Sequence, residues 1–184
     1  MQKIAQMIAR VKVRSGPGSD LDFVESLGPA FLAHLLRRIS DQLVEADAVW
    51  HQERGVANPP RTSSTLLALD QRGPLSVTEL ASVLRQSHQL VKQWLNALER
   101  LNLVGIASDP DDRRRSLVSL TDKGRVELAR LKREIAVIER ATRALVDDVA
   151  PGLIEALWAV ERDLRARPFV DRIRSAGSTR PGRV

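Results

Sequence analysis

The sequence predicts a mainly α-helical fold with a small β-wing, in which a winged helix-turn-helix lobe is joined to a second, helical lobe. The most informative run extends from Asp109 to Arg125, where a charged turn, a short alternating strand and a helix start follow one another. Two short amphipathic helices directly precede this run, and longer amphipathic segments lie on either side of it. This order of elements is typical of a winged helix-turn-helix.

Bulk composition places the chain among ordinary globular proteins. Its 184 residues fit one domain or two lobes that share a core. Hydrophobic residues make up 43% of the chain and charged residues 28%, which is usual for a globular domain. No apolar run approaches the roughly 20 residues that cross a bilayer, and the N-terminus lacks the pattern of a secretory signal. We therefore expect a cytoplasmic location and no membrane partner.

Residue usage also restricts the chemistry. The chain has no cysteine, which excludes disulfides, thiolate metal sites and thiol-based redox sensing. The three histidines, His34, His51 and His88, form no metal-spaced motif, although a metal site assembled from separate segments stays open. No glycine-rich cofactor loop and no Ser/His/Asp set is recognisable. We therefore expect no cofactor, no metal ligand, no catalytic residue and no enzymatic activity.

Charge and aromatic content favour one class of partner. The formal net charge is +6, and a basic protein attracts polyanions through its electrostatic field. Aromatic residues make up only 3% of the chain, with no tyrosine. Because single-stranded nucleic acid is usually held by stacking its bases on aromatic rings, this composition favours double-stranded DNA.

Residues 1–19 form a basic N-terminal extension, and residues 20–56 are predicted to form a first long helix. The extension contains lysines and arginines but no acid, and a short helix and a loose arm are equally compatible with it. From Leu21 to Trp50 the apolar residues recur at spacings of three and four, which define one face of a helix. A stripe of this length needs a partner, in the same chain or in a second one.

Residues 57–122 are predicted to form the winged helix-turn-helix DNA-binding domain. A short helix over 61–72 ends at Gly73, and Ser76 with Glu79 has the spacing of a capping box at the start of the next helix. Ser87 is a candidate N-cap for a helix whose inner face carries Val91, Trp94, Leu95, Leu98 and Leu101. Residues 103–107 and 117–120 then read as two strands joined by the charged turn.

Residues 123–174 are predicted to form C-terminal helices, followed by a disordered tail at 175–184. Thr121 and Asp122 suit the start of a helix. Pro151 and Gly152 separate this helix from a last one, and the polar tail is rich in arginine and glycine. Apolar residues alternate at spacings of three and four along the first of these helices, as in a coiled coil, namely Leu128, Leu131, Ile135, Ile138, Leu145 and Val149, with Thr142 as a polar interruption.

The helix opened by Ser87 and the turn around Arg114 carry the candidate DNA contacts. In a helix-turn-helix the second helix enters the major groove with its N-terminal part facing the base edges. Amide side chains can pair with adenine there, and lysine can bind guanine or phosphate. Arginines at a hairpin tip can reach phosphates or the minor groove, and Asp112 could hold Arg114 in one rotamer. A solvated polar face and a solvated charge cluster remain the alternatives. The outward residues are His88, Gln89, Lys92, Gln93 and Asn96, and the turn supplies Asp112, Arg113, Arg114 and Arg115.

Pro74 to Arg125 resembles the winged helix of MarR-type transcriptional regulators. The matching pieces are GPLSVTELASVL, SHQLVKQWLNALERLNLV, the wing DPDDRRRSLVSLT and the DKGR that follows. The resemblance implies a homodimer with two winged modules on a palindromic operator. It implies that residues 20–56 are a first dimerisation helix and residues 123–174 are C-terminal dimerisation helices. It also implies a minor-groove role for Arg114 within an Asp-x-Arg element that begins at Asp112. Ser87, His88, Gln89, Lys92 and Gln93 match the DNA-facing start of the recognition helix. Asn102 replaces the family's usual glycine.

The sequence therefore predicts a sequence-specific regulator that binds duplex DNA as a homodimer, with repression favoured. The resemblance further implies release by a small aromatic or lipophilic effector, for which the candidate residues are His34, Arg38, Trp50, His51 and Arg61. Core or surface roles are the alternative for these five. The alternative function is an architectural or plasmid-type DNA-binding protein with no ligand response.

Overall fold

The computed structural model describes residues 22–112 and 114–178, so the predicted extension 1–19, Arg113 and residues 179–184 lie outside the described residues. The chain divides into two compact units, Met1–Ala46 and Asp47–Val184. The helix α2 (Leu32–Arg54) begins in the first unit and continues into the second. Helices predominate in both units, and the described strands form one two-stranded sheet.

In the first unit, the prediction of one continuous helix beginning near Leu21 is wrong. A four-residue helix α1 (Phe23–Ser26) and a 3-10 turn (Gly28–Phe31) precede α2. Gly28 adopts a φ of +71°, which the α-helix does not allow. Pro29 has no N–H to donate and disfavours helical geometry at the residue before it. The Gly-Pro pair thus breaks the helix that the apolar spacing predicted.

The second unit contains the predicted winged helix-turn-helix. A 3-10 turn (Pro60–Thr62) leads into helix α3, which ends where Gly73 has a φ of +78°. The remaining elements are α3 (Ser63–Arg72), α4 (Val77–Leu84), α5 (His88–Arg100), β1 (Val104–Ser108), β2 (Ser116–Leu120), α6 (Asp122–Val149), α7 (Leu153–Ala166) and α8 (Phe169–Ser178).

The hydrophobic core of the second unit lies within the winged module. Helices α3, α4, α5 and α6 and strand β2 each contribute at least one fully buried side chain. The apolar residues of α3, α4 and α5 fall on one face of each helix. The wing and the first half of α6 close this core. The largest side chains with no more than 2% exposure include Leu66, Leu80, Val91, Leu95, Leu98, Leu103, Val118 and Leu131.

The wing is an antiparallel hairpin that is hydrogen-bonded to the rest of the lobe through β2. Strand β1 pairs with β2 in a register that runs from Val104 opposite Leu120 to Ser108 opposite Ser116. Leu75, just before α4, forms a bridge with Val118 through two backbone hydrogen bonds of 3.1 and 2.8 Å. The middle of β2 is therefore fixed to the segment that leads into α4.

The stripe along α6 divides into two halves. Leu128 and Leu131 are buried in the core, at 3% and 0% exposure. Further along, Ile135 is only half-buried, and Leu145 and Val149 are 51% and 74% exposed. The uniform spacing predicted one continuous apolar seam, but the described residues cover only its first half.

The C-terminal segment contains one helix more than the sequence analysis predicted. Helix α7 ends at Ala166 and Pro168 precedes α8, because proline cannot continue the preceding helix. Arg172 forms an ion pair with Asp163 across this corner. Since α8 continues to Ser178, the predicted disordered tail 175–184 is wrong for its first four residues. No helix in the described part of the chain combines the length and apolar character that a membrane crossing requires.

Candidate nucleic-acid interface

Two N-caps set the geometry of the helix-turn-helix. The Ser76 hydroxyl accepts a hydrogen bond from the Glu79 N–H (3.3 Å), and the Glu79 carboxylate accepts one from the Ser76 N–H (2.8 Å), as the predicted capping box requires. Helix α4 ends where Arg85 adopts left-handed geometry. The Ser87 hydroxyl accepts from the Leu90 N–H (3.2 Å) and begins α5. Both predicted caps are confirmed, and they fix where α5 starts relative to α4.

Helix α5 buries one face and presents the other. Val91, Leu95 and Leu98 are buried, and Trp94 is half-buried beside them. This burial leaves the opposite face in solvent, because residues three and four apart share a side of a helix. The exposed residues on and just before the first turns are the predicted ones, namely Ser87, His88, Gln89, Lys92, Gln93 and Asn96.

The end of α5 is joined tightly to the start of α6. Asn102 adopts the left-handed conformation predicted for it, with a φ of +57°. Its carbonyl accepts a hydrogen bond from the Thr121 hydroxyl (2.7 Å), and the same hydroxyl accepts from the Gly124 N–H (2.9 Å) as the N-cap of α6. Lys123 donates to the Leu101 carbonyl (2.8 Å). Helix α5 is thereby held at both ends by local hydrogen bonds.

The tip of the wing presents Arg114 to solvent. Asp112 Oδ1 accepts from the Arg114 backbone N–H (3.0 Å) and lies 3.3 Å from Arg114 Nε, so the predicted contact between these two residues is present. The Arg114 side chain is nevertheless 91% exposed. The Asp112 carboxylate thus holds the Arg114 guanidinium at Nε, while the outer edge of the guanidinium stays open to solvent.

Arg115 has a different environment from Arg114. Its Nη2 lies 3.0 Å from Glu79 Oε1 and its Nε lies 3.7 Å from Asp109 Oδ2, and its side chain is only 45% exposed. Glu79 is 36 residues away along the chain, on the first turn of α4. The sequence predicts a DNA contact for Arg115, as for its two neighbours. The ion pair with Glu79 is not predicted, because no local pattern links residues so far apart.

The carboxylate of Glu79 is strongly held in its ionised form. The hydrogen bond from the Ser76 side chain, then that from the Ser76 backbone, and then the Arg115 guanidinium lower the pKa of Glu79 to about 2. Each of these groups favours the charged carboxylate over the neutral acid. Glu79 therefore carries its negative charge throughout the neutral pH range.

The residues considered for an effector site lie in both units. In the first unit His34 is exposed, whereas Arg38 pairs with Asp22 (2.8 Å) and lines a cavity of about 660 Å³. In the second unit Trp50 lies under the Arg54 guanidinium (5.4 Å to the ring centroid), Arg61 is exposed, and His51 is buried. The His51 Nδ1 is 3.0 Å from the Asn58 carbonyl oxygen. Within residues 22–112 and 114–178, no group of three histidine or acidic side chains is arranged to bind a metal ion.

Comparison with known proteins supports the same family as the sequence motifs. Residues 59–115 match the model of the MarR family. This range covers α3, α4, α5, β1 and the whole turn before β2. No curated protein matches the chain.

Solved structures with a similar fold are transcriptional regulators. CouR, a transcriptional repressor bound to a 23-mer DNA duplex, is 28% identical with a TM-score of 0.62, over 80% of this chain and 99% of that one. A probable transcriptional regulator from Pseudomonas aeruginosa is 25% identical with a TM-score of 0.56, over 72% and 96%. The fold is also similar to that of PcaV from Streptomyces coelicolor, in complex with its natural ligand (21% identity, TM-score 0.59, 82% and 99% coverage).

Proposed function

We propose that this chain, a MarR-family winged-helix regulator, binds duplex DNA as a homodimer at a palindromic operator and represses transcription there. The observation that carries the proposal is the pairing of two exposed elements. The outward face of α5 is polar and open to solvent, and the adjacent hairpin tip presents Arg114 at 91% exposure. MarR-family regulators are DNA-binding transcription factors without enzymatic activity, so the expected output is control of transcription.

Helix α5 supplies chemistry suited to the major groove. The amides of Gln89 and Gln93 can each donate to and accept from the edge of an adenine, and Lys92 can bind guanine or a phosphate. Ser87 and His88, at the start of the helix, are placed to reach phosphates or bases near the groove edge. These side chains lie on one exposed face, so they can contact one stretch of duplex together.

The wing supplies chemistry suited to the minor groove. A guanidinium is attracted by the negative potential of a narrow minor groove. Arg114 is held near its stem by Asp112, which reduces the rotamer freedom that binding would otherwise remove. We propose that Arg114 enters the minor groove beside the major-groove site of α5.

A second copy of the chain is the proposed partner of the uncovered apolar surface. On α7, Leu157 and Trp158 are 40% and 57% exposed, and on α8 Phe169 is 61% exposed. Exposed apolar side chains of this size and number favour an interaction surface in this part of the chain. In a two-fold homodimer the same patch would be buried on both subunits. Such a dimer would present two copies of α5 to two half-sites about one helical turn, or ~10 base pairs, apart.

Release by a small effector is proposed from the family relationship. The PcaV structure contains the natural ligand of PcaV, and the CouR structure contains a DNA duplex. A ligand would shift this chain off DNA only by its difference in affinity between the DNA-binding and non-binding arrangements. A screen of small aromatic and lipophilic compounds against the preformed complex measures this directly. If none releases the duplex, an architectural protein without ligand response gains support.

Selection of genomic DNA fragments by the full chain tests the proposed function. We expect enrichment of one inverted-repeat sequence and reduced expression of a reporter gene placed downstream of it. Affinity should fall steeply as salt rises, because each neutralised phosphate releases counterions. Enrichment of no common sequence would contradict sequence-specific regulation, and increased reporter expression would contradict repression.

Replacing Arg114 by alanine tests the wing. We expect Arg114→Ala to weaken operator binding roughly tenfold or more and to lower the slope of log affinity against log salt, since each subunit loses one cationic contact. Titration of labelled operator at several salt concentrations measures both effects. Arg133→Ala is the matched control, because Arg133 is exposed on α6, outside the proposed interface, and its loss should leave both quantities close to wild type. Equal behaviour of the two variants would refute the role of Arg114.

A further inference from the structure

We propose that Arg115 is a positioning residue that locks the wing to α4, and that Glu79 and Asp109 are its anchors. This proposal rests on the proposed function, and it replaces the predicted DNA contact of Arg115 with a positioning role. Both the side-chain contacts and the backbone contacts of Arg115 support the positioning role.

The side chain of Arg115 connects the wing to the first turn of the helix-turn-helix. It lies between two carboxylates, Glu79 Oε1 at 3.0 Å from Nη2 and Asp109 Oδ2 at 3.7 Å from Nε. Glu79 belongs to α4, and Asp109 lies at the other end of the wing turn. One guanidinium therefore joins both sides of the turn to a rigid helix.

The backbone of Arg115 closes the same turn. Its N–H donates to the Asp112 carbonyl (2.8 Å), and its carbonyl accepts from the Asp109 N–H (3.0 Å). Asp109 Oδ1 also accepts from the Asp111 N–H (3.0 Å). The loop that presents Arg114 is thus closed on the residue whose side chain is fixed to α4.

Charge distinguishes the roles of the two arginines. Arg115 faces two carboxylates, of which Glu79 is held ionised by the Ser76 hydrogen bonds and by Arg115 itself. The two carboxylates compensate the positive charge of Arg115, so this guanidinium is poorly suited to bind a phosphate. Arg114, by contrast, has the single nearby carboxylate of Asp112 and is 91% exposed. Arg114 is the residue free to reach DNA, and Arg115 holds the loop in the conformation that allows it.

The capping box makes Glu79 a suitable anchor. Glu79 Oε2 accepts hydrogen bonds from the Ser76 N–H (2.8 Å) and the Ser76 hydroxyl (2.6 Å), while Oε1 receives Arg115. The carboxylate is consequently oriented before the wing engages it. An oriented partner lowers the conformational entropy that the ion pair costs.

The substitution Glu79→Gln distinguishes a positioning role from a purely electrostatic one, because the two predict changes in operator affinity of opposite sign. Glutamine can still serve as the third residue of a capping box, so α4 keeps its cap while the ion pair to Arg115 is lost. Removing a negative charge near DNA would by itself strengthen binding. The positioning role predicts the opposite, a loss of roughly tenfold in operator affinity, because the loop must then be ordered on binding.

Two controls complete the experiment. Glu99→Gln removes a carboxylate from the exposed last turn of α5, outside the Arg115 contacts, and should leave affinity equal or slightly higher. In an Arg115→Ala background, Glu79→Gln should cause no further loss, because the contact is already gone. Equilibrium unfolding of each variant establishes that the folded state is retained.

A measurement without DNA distinguishes failure of this inference from failure of the proposed function. Trypsin cleaves after arginine, and a released wing exposes the bond after Arg114. Glu79→Gln should therefore speed native-state cleavage there relative to wild type and to Glu99→Gln. An unchanged cleavage rate, or operator affinity that rises in Glu79→Gln, overturns the positioning role. A wild-type chain that binds no duplex but shows the expected cleavage contrast overturns the proposed function and leaves the anchoring of the wing intact.

Discussion

A Leu157→Glu variant is expected to be monomeric and to lose most of its operator affinity. Leu157 lies at the centre of the apolar stripe of α7, with Leu153, Ile154 and Leu164 on the same side, and is 40% exposed in the single chain. A two-fold interface contains the side chain twice. Losing about 2 kcal/mol of apolar burial in each subunit costs about 4 kcal/mol, or roughly a thousandfold in the dimerisation constant.

The loss of DNA binding follows from the loss of the dimer. Two linked recognition helices bind two half-sites with the advantage of a high effective concentration, and a single subunit lacks that advantage. Sedimentation velocity at micromolar concentration measures the oligomeric state, and operator titration measures the affinity of the same samples. The new carboxylate would add to the effect wherever it is buried without a partner.

Ala159→Glu is the matched control for this substitution. It introduces the same charge into the same helix, but two residues further along and therefore on the opposite side. Ala159 is exposed. We expect this variant to sediment as the wild type and to bind operator with similar affinity. A Leu157→Glu protein that sediments with wild-type mass would show that α7 is not part of the interface.

Local signals in the sequence were sufficient for the helix-turn-helix. The caps at Ser76, Ser87 and Thr121 depend on side chains within three residues of the N–H groups that they satisfy, and each forms as predicted. The left-handed conformation of Asn102 is likewise a property of one residue at a helix end. These interactions are short in sequence, so the sequence alone can specify them.

Features that depend on distant residues were not predictable in the same way. The pairing of Arg115 with Glu79 spans 36 positions, and nothing near Arg115 distinguishes it from Arg114. Along α6 the same spacing covers residues in the core and residues that are left exposed, because periodicity gives the face of a helix and not its neighbour. The break at Gly28 is a different case, since the Gly-Pro signal was present in the sequence and the long apolar periodicity outweighed it.

The glycine of the DKGR motif shows how a short sequence signature can reflect packing rather than DNA contact. Gly124 is buried on the first turn of α6, against the backbone of Leu103. The Leu103 carbonyl there also accepts a hydrogen bond from the Thr121 N–H (3.1 Å). This contact joins the segment that follows α5 to the helix that follows the wing.

Gly124→Ala is therefore expected to destabilise the winged module markedly. A Cβ at this position would overlap the carbonyl oxygen of Leu103, which is backbone and has no flexible end that can move away. Overpacking of this kind costs about 1–3 kcal/mol, and here the shift would also strain the Thr121 hydrogen bond. Urea denaturation should show a lower midpoint with an unchanged slope.

Gly177→Ala is the control for Gly124→Ala, because it makes the same substitution in a helix at a site without a close backbone neighbour. Gly177 lies in α8, where an added Cβ meets nothing within 4 Å. Alanine there should leave the midpoint unchanged or raise it, because glycine costs a helix about 0.5–1 kcal/mol relative to alanine. The same substitution is thus expected to lower the urea midpoint at Gly124 and not to lower it at Gly177. If Gly124→Ala unfolds at the wild-type urea concentration, the tight joint between Leu103 and α6 is not what requires a glycine in this motif.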